Sequence, residues 1–143
     1  SWTGINGLVM FNRFFSPDID LDDMEVTSSF VFSQPGELQM PLRWIAMLSD
    51  RVHCDLASST GVENGDGAVK MLLAGAKAVQ ITSALYKYGF SHATLINQQI
   101  AQWLGEKGYA SLEEIIGKMS VKNTENPASY ERVQFMKHFS GIE

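Results

Sequence analysis

The chain has 143 residues, 45% hydrophobic and 19% charged, a composition typical of a globular domain with its own core. Its formal net charge of −5 argues against non-specific nucleic-acid binding, and no apolar run reaches the length of a membrane-spanning helix, so we expect neither partner. The single cysteine, Cys54, excludes an internal disulfide, so nothing indicates an oxidising compartment and we expect a cytoplasmic protein.

The first third of the chain predicts a strand, an irregular excursion and a helix. Residues 7–11 form an apolar run without alternation, which is typical of a strand buried on both faces of a parallel sheet. Ser16-Pro17-Asp18 indicates a turn into an acidic loop, and the β-prone run 25–32 is expected to pair locally outside the main sheet. A helix that reaches about Ser49 should then begin near Met40, because Pro41 is unfavourable inside a helix, or begin at Pro35 and be kinked near Met40.

The middle of the chain predicts a strand, a helix and a second, parallel strand. Apolar runs at 54–58 and 78–82 are the strands, and a helix over 66–75 ends at a glycine between them. Both runs lead into small polar residues, Ser59-Thr60-Gly61 after the first and Thr82-Ser83 after the second. In β/α barrels the loops after the seventh and eighth strands commonly hold a phosphate, so this pattern indicates a phosphate-bearing ligand.

Helices dominate the last third of the chain. Apolar spacing predicts a helix over 91–107 that stops at Gly108. The capping-box pattern that begins at Ser111 predicts a short helix that ends near Gly117. A final helix is expected to start at Pro127 and to carry three further apolar residues, Val133, Phe135 and Met136.

Three parallel strands do not close a barrel, and an open sheet of three would leave two edges uncovered. The chain also enters its first predicted strand almost at once, at Gly7. We therefore expect a piece of a longer protein, incomplete as an isolated chain.

In order and spacing, several segments resemble the C-terminal part of dihydroorotate dehydrogenase-like flavoproteins of the soluble class 1 type. The resemblance runs over most of the chain, and the closing segment from Tyr109 to Lys118 shares it. The segments that carry it are Gly7 to Phe14, Pro41 to Ala46, Ser59 to Val62, Leu73 to Ala76 and Val79 to Tyr86.

The resemblance implies an α/β fold in which residues 1–143 form strands six to eight of an eight-stranded TIM (β/α)8 barrel that binds FMN. The full enzyme would oxidise dihydroorotate to orotate in pyrimidine biosynthesis. The family's proton-accepting Ser or Cys follows the fourth strand, and a flavin-contacting lysine lies on an earlier strand. Neither has a matching position in this sequence, so no residue here is predicted to be catalytic.

By the same resemblance, two loops would bind the FMN phosphate. Ser59, Thr60 and Gly61 match the loop after strand seven, although the family usually has a second glycine where Thr60 stands. Thr82 and Ser83 match the pair after strand eight, commonly Gly-Thr. Backbone N–H groups in a loop that leads into a helix suit an anion. The alternatives are an ordinary glycine turn for the first loop and hydroxyl capping of the next turn for the second.

The end of the first strand supplies a candidate substrate contact. Asn12 matches an asparagine that hydrogen-bonds the pyrimidine in the family. An amide suits this contact, since it offers both a donor and an acceptor. Satisfying loop backbone is an equally good interpretation. Arg13 stands where the family has a small residue, and its guanidinium could reach a phosphate or a carboxylate.

Other chemistry is not indicated. The three histidines show no metal spacing, and the acidic run from Asp18 to Asp23 lacks the glycine and terminal glutamate of a calcium loop. The expected partners are a small dihydropyrimidine substrate and further copies of the chain. Two alternatives stay open, another phosphate-binding β/α-barrel enzyme and an inactive fragment that oligomerises through its sheet edges.

Overall fold

The computed structural model describes residues 3–13, 17–28 and 31–131, which form an α/β arrangement. In these ranges the strands are β1 (Gly7–Met10), β2 (Pro17–Asp20), β3 (Glu25–Ser28), β4 (Asp55–Ser58) and β5 (Ala78–Val79). The helices are α1 (Gln39–Leu48), α2 (Gly65–Ala74), α3 (Ser83–Tyr88), α4 (His92–Lys107) and α5 (Ala128–Glu131).

The main sheet is parallel and has the order β1-β4-β5. Met10 pairs with Ser58, and Ser58 in turn pairs with Val79, so the carboxyl ends of the three strands lie together at one edge. The predicted strand-helix-strand unit is confirmed, with α2 as the crossover. This edge is where open and closed α/β sheets place their ligands.

Burial of β1 on both faces is not observed. Leu8 is 38% and Val9 49% exposed, and only Met10 of this strand is buried. β1 is the edge strand of the sheet, and Leu8 and Val9, which point to opposite faces, show that the described residues cover neither face fully. The apolar run indicates that β1 packs against a further surface, which the described residues do not supply.

The excursion is an antiparallel hairpin of β2 and β3, in which Ile19 pairs with Val26. Local pairing of the 25–32 run is therefore confirmed over Glu25–Ser28. The turn predicted at Ser16-Pro17-Asp18 is wrong over its described residues, because Pro17 and Asp18 belong to β2. Proline is tolerated at the first position of a strand, and the chain reverses instead over 21–24.

The long helices end where their glycines predict. A 3-10 turn over Pro35–Leu38 precedes α1, so the helix itself begins at Gln39. Gly75 follows α2 with φ 119°, and its N–H donates to the carbonyls of Met71 and Leu72. Gly108 closes α4 with φ 75°.

The second predicted strand and the short helix differ from expectation. The run 78–82 forms a strand only over Ala78–Val79, and α3 begins at Ser83, where no helix was predicted. Residues 113–117 form turns, although the pKa of Glu113 is lowered by hydrogen bonds from its own backbone N–H and from the Ser111 hydroxyl. One helical bond is present, from the Ile116 N–H to the Leu112 carbonyl at 3.2 Å, but the Gly117 N–H donates instead to the Leu72 carbonyl at 3.0 Å.

The apolar core lies between the sheet and the helices α1, α2 and α4. Ile45 and Met71 are fully buried at its centre, and Leu56 of β4 and Ile96 of α4 pack against them. None of the helices in the described ranges is long and apolar enough to cross a membrane. The residues predicted on the final helix, Val133, Phe135 and Met136, lie outside the described residues.

Two buried serines provide a matched test of this packing. Ser58 and Ser120 are both 0% exposed, but the Ser120 hydroxyl donates to Asp50 Oδ2 at 2.6 Å, whereas the described residues offer Ser58 Oγ no partner. We expect Ser58→Ala to raise the free energy of unfolding by about 1 kcal/mol, since it removes an unpaired buried hydroxyl. Ser120→Ala should lower the free energy of unfolding by about 1–2 kcal/mol. Both variants are measured by urea titration, and equal changes in their unfolding free energies would contradict this interpretation.

Candidate functional site

A cleft of about 240 Å³ opens at the carboxyl edge of the parallel sheet. All six residues predicted from the sequence to bind cofactor or substrate line it, namely Asn12, Ser59, Thr60, Gly61, Thr82 and Ser83. Its other lining residues are Arg13, Val31, Ser33, Val62, Gln80 and Ile81. Segments from three strand ends and from the chain after the hairpin therefore converge on one space.

The loop after β4 is held in a left-handed conformation by two successive residues. Thr60 and Gly61 both have φ 79°, a region that favours glycine because a side chain is strained there. At Gly61 a side chain would also collide, since an added Cβ would lie 2.4 Å from the backbone nitrogen of Leu38. The loop thus needs a glycine at 61 and carries strain at 60, where the family that the sequence resembles usually has glycine.

The Thr60 hydroxyl is used within the protein. It donates to the carbonyl oxygen of Phe11 at 3.0 Å, and Ser59 N–H donates to the Met10 carbonyl at 2.9 Å. The loop after β4 is therefore tied to the end of β1. A phosphate in the cleft would meet backbone N–H groups rather than this hydroxyl.

Backbone donors are available on both loops. Among the described residues, the N–H groups of Gly61, Thr82 and Ser83 have no hydrogen-bond acceptor. All three residues line the cleft, and an unpaired amide donor near a cavity is costly unless water or a ligand satisfies it. The arrangement suits an anion that accepts from two loops at once.

The helix that follows the first loop does not supply donors to the cleft. The Gly65 N–H at the start of α2 donates to Gln99 Oε1 at 2.7 Å, and Gly67 N–H donates to Asn64 Oδ1 at 2.9 Å. Side chains thus occupy two of the first-turn donors. None of the described residues that line the cleft belongs to α2, and a contribution of the dipole of this helix to anion binding stays a prediction.

The loop after β5 presents one exposed and one half-buried hydroxyl residue. Thr82 is exposed and makes no side-chain capping bond, so the capping alternative is not realised there. Ser83 Oγ lies 3.0 Å from both the backbone nitrogen and the hydroxyl of Ser33. Ser33 is only 6% exposed and carried no recognisable signal in the sequence.

At the end of the first strand, Asn12 and Arg13 make different contacts. Asn12 Oδ1 accepts from the Arg13 N–H at 2.9 Å, while the exposed amide lines the cleft. Arg13 Nε lies 3.1 Å from Glu37 Oε1, and Nη1 donates to the Val31 carbonyl at 3.0 Å. Arg13 therefore pairs with a carboxylate of the chain itself, and a contact with a ligand's phosphate or carboxylate stays a prediction.

Within the described ranges, no group of three or more metal-ligating side chains comes together. Two ion pairs involve or contact lining residues instead, Arg13 with Glu37, and Lys87, which donates to the Ser33 carbonyl, with Glu63. Because each cation faces a carboxylate, the site's attraction for an anion depends mainly on backbone and hydroxyl donors.

Comparison with known proteins shows the same likeness in sequence and in structure. The chain is 38% identical over 86 residues to the catalytic subunit of dihydroorotate dehydrogenase B (NAD(+)) of Pyrococcus abyssi, covering 60% of this chain and 29% of the relative. It is 28% identical over 118 residues to the same subunit of Bacillus pumilus, covering 80% and 38%. The chain is dihydroorotate dehydrogenase-like.

A comparison of structures gives a likeness over a similar share of the chain. A ligand-free dihydroorotate dehydrogenase of Eimeria tenella superposes with a TM-score of 0.66 and 21% identity, covering 81% of this chain and 33% of that one. At this identity the likeness establishes the fold. No protein-family model matches the chain.

The dihydroorotate dehydrogenase-like chain spans about a third of the length of the curated relatives it matches, 29% and 38% of the two above. The resemblance inferred from the sequence is confirmed. Its α/β fold with a parallel sheet is confirmed as well, by the structure and by the superposition.

Proposed function

We propose that the chain is the FMN phosphate-binding part of a dihydroorotate dehydrogenase-like oxidoreductase, equivalent to strands six to eight and their helices in a TIM barrel. One observation carries the proposal. The loops after β4 and β5, at adjacent strand ends, place Gly61, Thr82 and Ser83 in the lining of one cleft, and the N–H groups of these three residues have no acceptor among the described residues. Phosphate binding by the last two strand loops is the common arrangement in such barrels.

The size of the cleft supports a partial site. About 240 Å³ lies below the roughly 300–1,000 Å³ typical of pockets that hold a whole small molecule. The space suits a phosphate and the atoms next to it. The rest of the ligand would rest against strands outside this sequence.

In the proposed enzyme, bound FMN would accept a hydride from dihydroorotate, which becomes orotate. The residues of this chain bind and orient. Ser59, Thr60 and Gly61 shape one phosphate loop, Thr82 and Ser83 the other, and Asn12 would present its amide to the pyrimidine. The proton-accepting residue would lie outside the 143 residues, so the chain alone is proposed to be inactive in turnover.

The proposal is tested by titrating the chain with FMN and with riboflavin, which lacks the phosphate. We expect FMN to bind more tightly, and Thr82→Asp to weaken FMN at least about tenfold, because a carboxylate would face the phosphate across the cleft. Thr94→Asp, which adds the same charge at an exposed position of α4, is the matched control. Equal affinities for the two flavins, or equal effects of the two variants, would contradict the proposal.

A second candidate, self-association, is favoured by β1. Leu8 and Val9 are exposed at the sheet edge, and apolar burial is worth about 25 cal/mol per Å², so a further copy or another strand could cover them. Another phosphate-bearing ligand in the same cleft is the remaining alternative. Competition of sugar phosphates against FMN in the titration distinguishes it.

A further inference from the structure

The segment after the hairpin is held over the second phosphate loop by contacts that the sequence did not indicate. Ser33 is 6% exposed, and its N–H and hydroxyl both lie 3.0 Å from Ser83 Oγ. Beside this contact, the Phe32 and Tyr86 rings pack with centroids 5.8 Å apart. Residues 32 and 33 are thereby fastened to α3 at the wall of the cleft.

The two bonds from Ser33 determine what the Ser83 hydroxyl can do. A hydroxyl has one proton and two acceptor lone pairs. The Ser33 N–H can only donate, so it uses one lone pair of Ser83 Oγ. The second lone pair is used when the Ser33 hydroxyl is the donor of the 3.0 Å hydroxyl contact. The Ser83 hydroxyl can then only donate, and its proton needs an acceptor other than Ser33.

Lys87 anchors Ser33 from the other side. Its Nζ donates to the Ser33 carbonyl at 3.3 Å and pairs with the Glu63 carboxylate. The Lys87 and Glu63 side chains are only 23% and 16% exposed, and the Glu63 carbonyl lies 2.7 Å from His92 Nε2. The ion pair is therefore partly shielded from water and fixed to α4, which makes it a firm support.

We propose that Lys87 and Ser33 are positioning residues that turn Ser83 into a donor facing the cleft, selective for a phosphate oxygen. Lys87 fixes the Ser33 carbonyl, and Ser33 saturates the acceptors of Ser83. The identity of the ligand rests on the proposed function, whereas the positioning itself exists in the chain without ligand. A phosphate monoester offers only acceptors to a hydroxyl, so a pre-set donor favours it over neutral hydroxyl ligands.

The positioning is tested first without ligand. NMR is used to measure the hydrogen-exchange rate of the Ser33 amide in the full chain. We expect Lys87→Met and Ser83→Ala each to speed this exchange at least about tenfold, because each removes a partner that holds Ser33. Lys87→Arg should restore protection. Lys77→Met is the control, since the Lys77–Asp55 pair is exposed and lies outside the cleft. Unchanged Ser33 exchange in Lys87→Met would overturn the proposal.

Ligand binding supplies the second arm. Ser33→Ala is expected to weaken FMN about tenfold and to leave riboflavin affinity unchanged, a selectivity that a general loss of structure would not produce. In a Ser83→Ala background, Ser33→Ala should have no further effect. Additive losses, or equal losses for both flavins, would overturn it. If the unsubstituted chain shows no preference for FMN, the proposed function fails, and the exchange results still decide the positioning.

Discussion

The Met71→Ala variant is expected to lose about 2–5 kcal/mol of unfolding free energy, measured by urea denaturation of the full chain. Met71 lies in α2, is 0% exposed and belongs to the central core cluster. Truncation removes buried methylene and sulfur contacts and leaves a cavity that the sheet and neighbouring helices cannot fully collapse around. Because domains are typically stable by only about 5–15 kcal/mol, the loss would be a large fraction of the total.

Met40→Ala is the matched control, since Met40 lies on α1 with 53% of its surface exposed. Its effect should stay within about 0.5 kcal/mol, as for most surface substitutions. A loss as large as that of Met71→Ala would mean that the core is not where the structure places it.

The Gly61→Ala variant is expected to lose about 2–5 kcal/mol of unfolding free energy, measured by urea denaturation. It should also weaken FMN binding, measured by the FMN titration. Two independent costs combine. Alanine is strained at φ 79°, and its Cβ would lie 2.4 Å from the nitrogen and 2.9 Å from the Cα of Leu38. Since both close atoms are backbone, relief requires the loop to move, and the loop carries the proposed phosphate donors.

Gly105→Ala separates this effect from the general consequence of replacing glycine. Gly105 lies inside α4, and a Cβ there meets open space. Alanine should stabilise the helix by about 0.5–1 kcal/mol. If both variants destabilise the chain alike, the special conformation of Gly61 is not the cause.

The parts of the fold that local chemistry determines were predictable. Gly75 and Gly108 end α2 and α4 because each can adopt a positive φ, which is a property of the residue itself. The parallel pairing of β4 with β5 followed from the helix between them. The six candidate site residues converge because the carboxyl ends of parallel strands share one edge.

What depends on distant contacts was not predictable. Residues 111–117 carry a capping-box pattern, but bonds to the end of α2, such as Gly117 N–H to the Leu72 carbonyl, override it. The role of Ser33 arises from a contact with Ser83, 50 positions away along the chain, and no local pattern marks such a pair. Thr60 shows the same limit, because its positive φ is imposed by tertiary structure on a residue that disfavours it.

The register of the sheet has a kinetic consequence. The β1–β4 pairing closes a loop more than twice as long as that between β4 and β5. Longer loops lose more chain entropy before any contact compensates, and non-local pairing slows folding. The β4–α2–β5 unit should therefore nucleate the structure, with β1 docking late. The first strand end, which carries Asn12, would join the cleft only after the loops that follow β4 and β5 had already met.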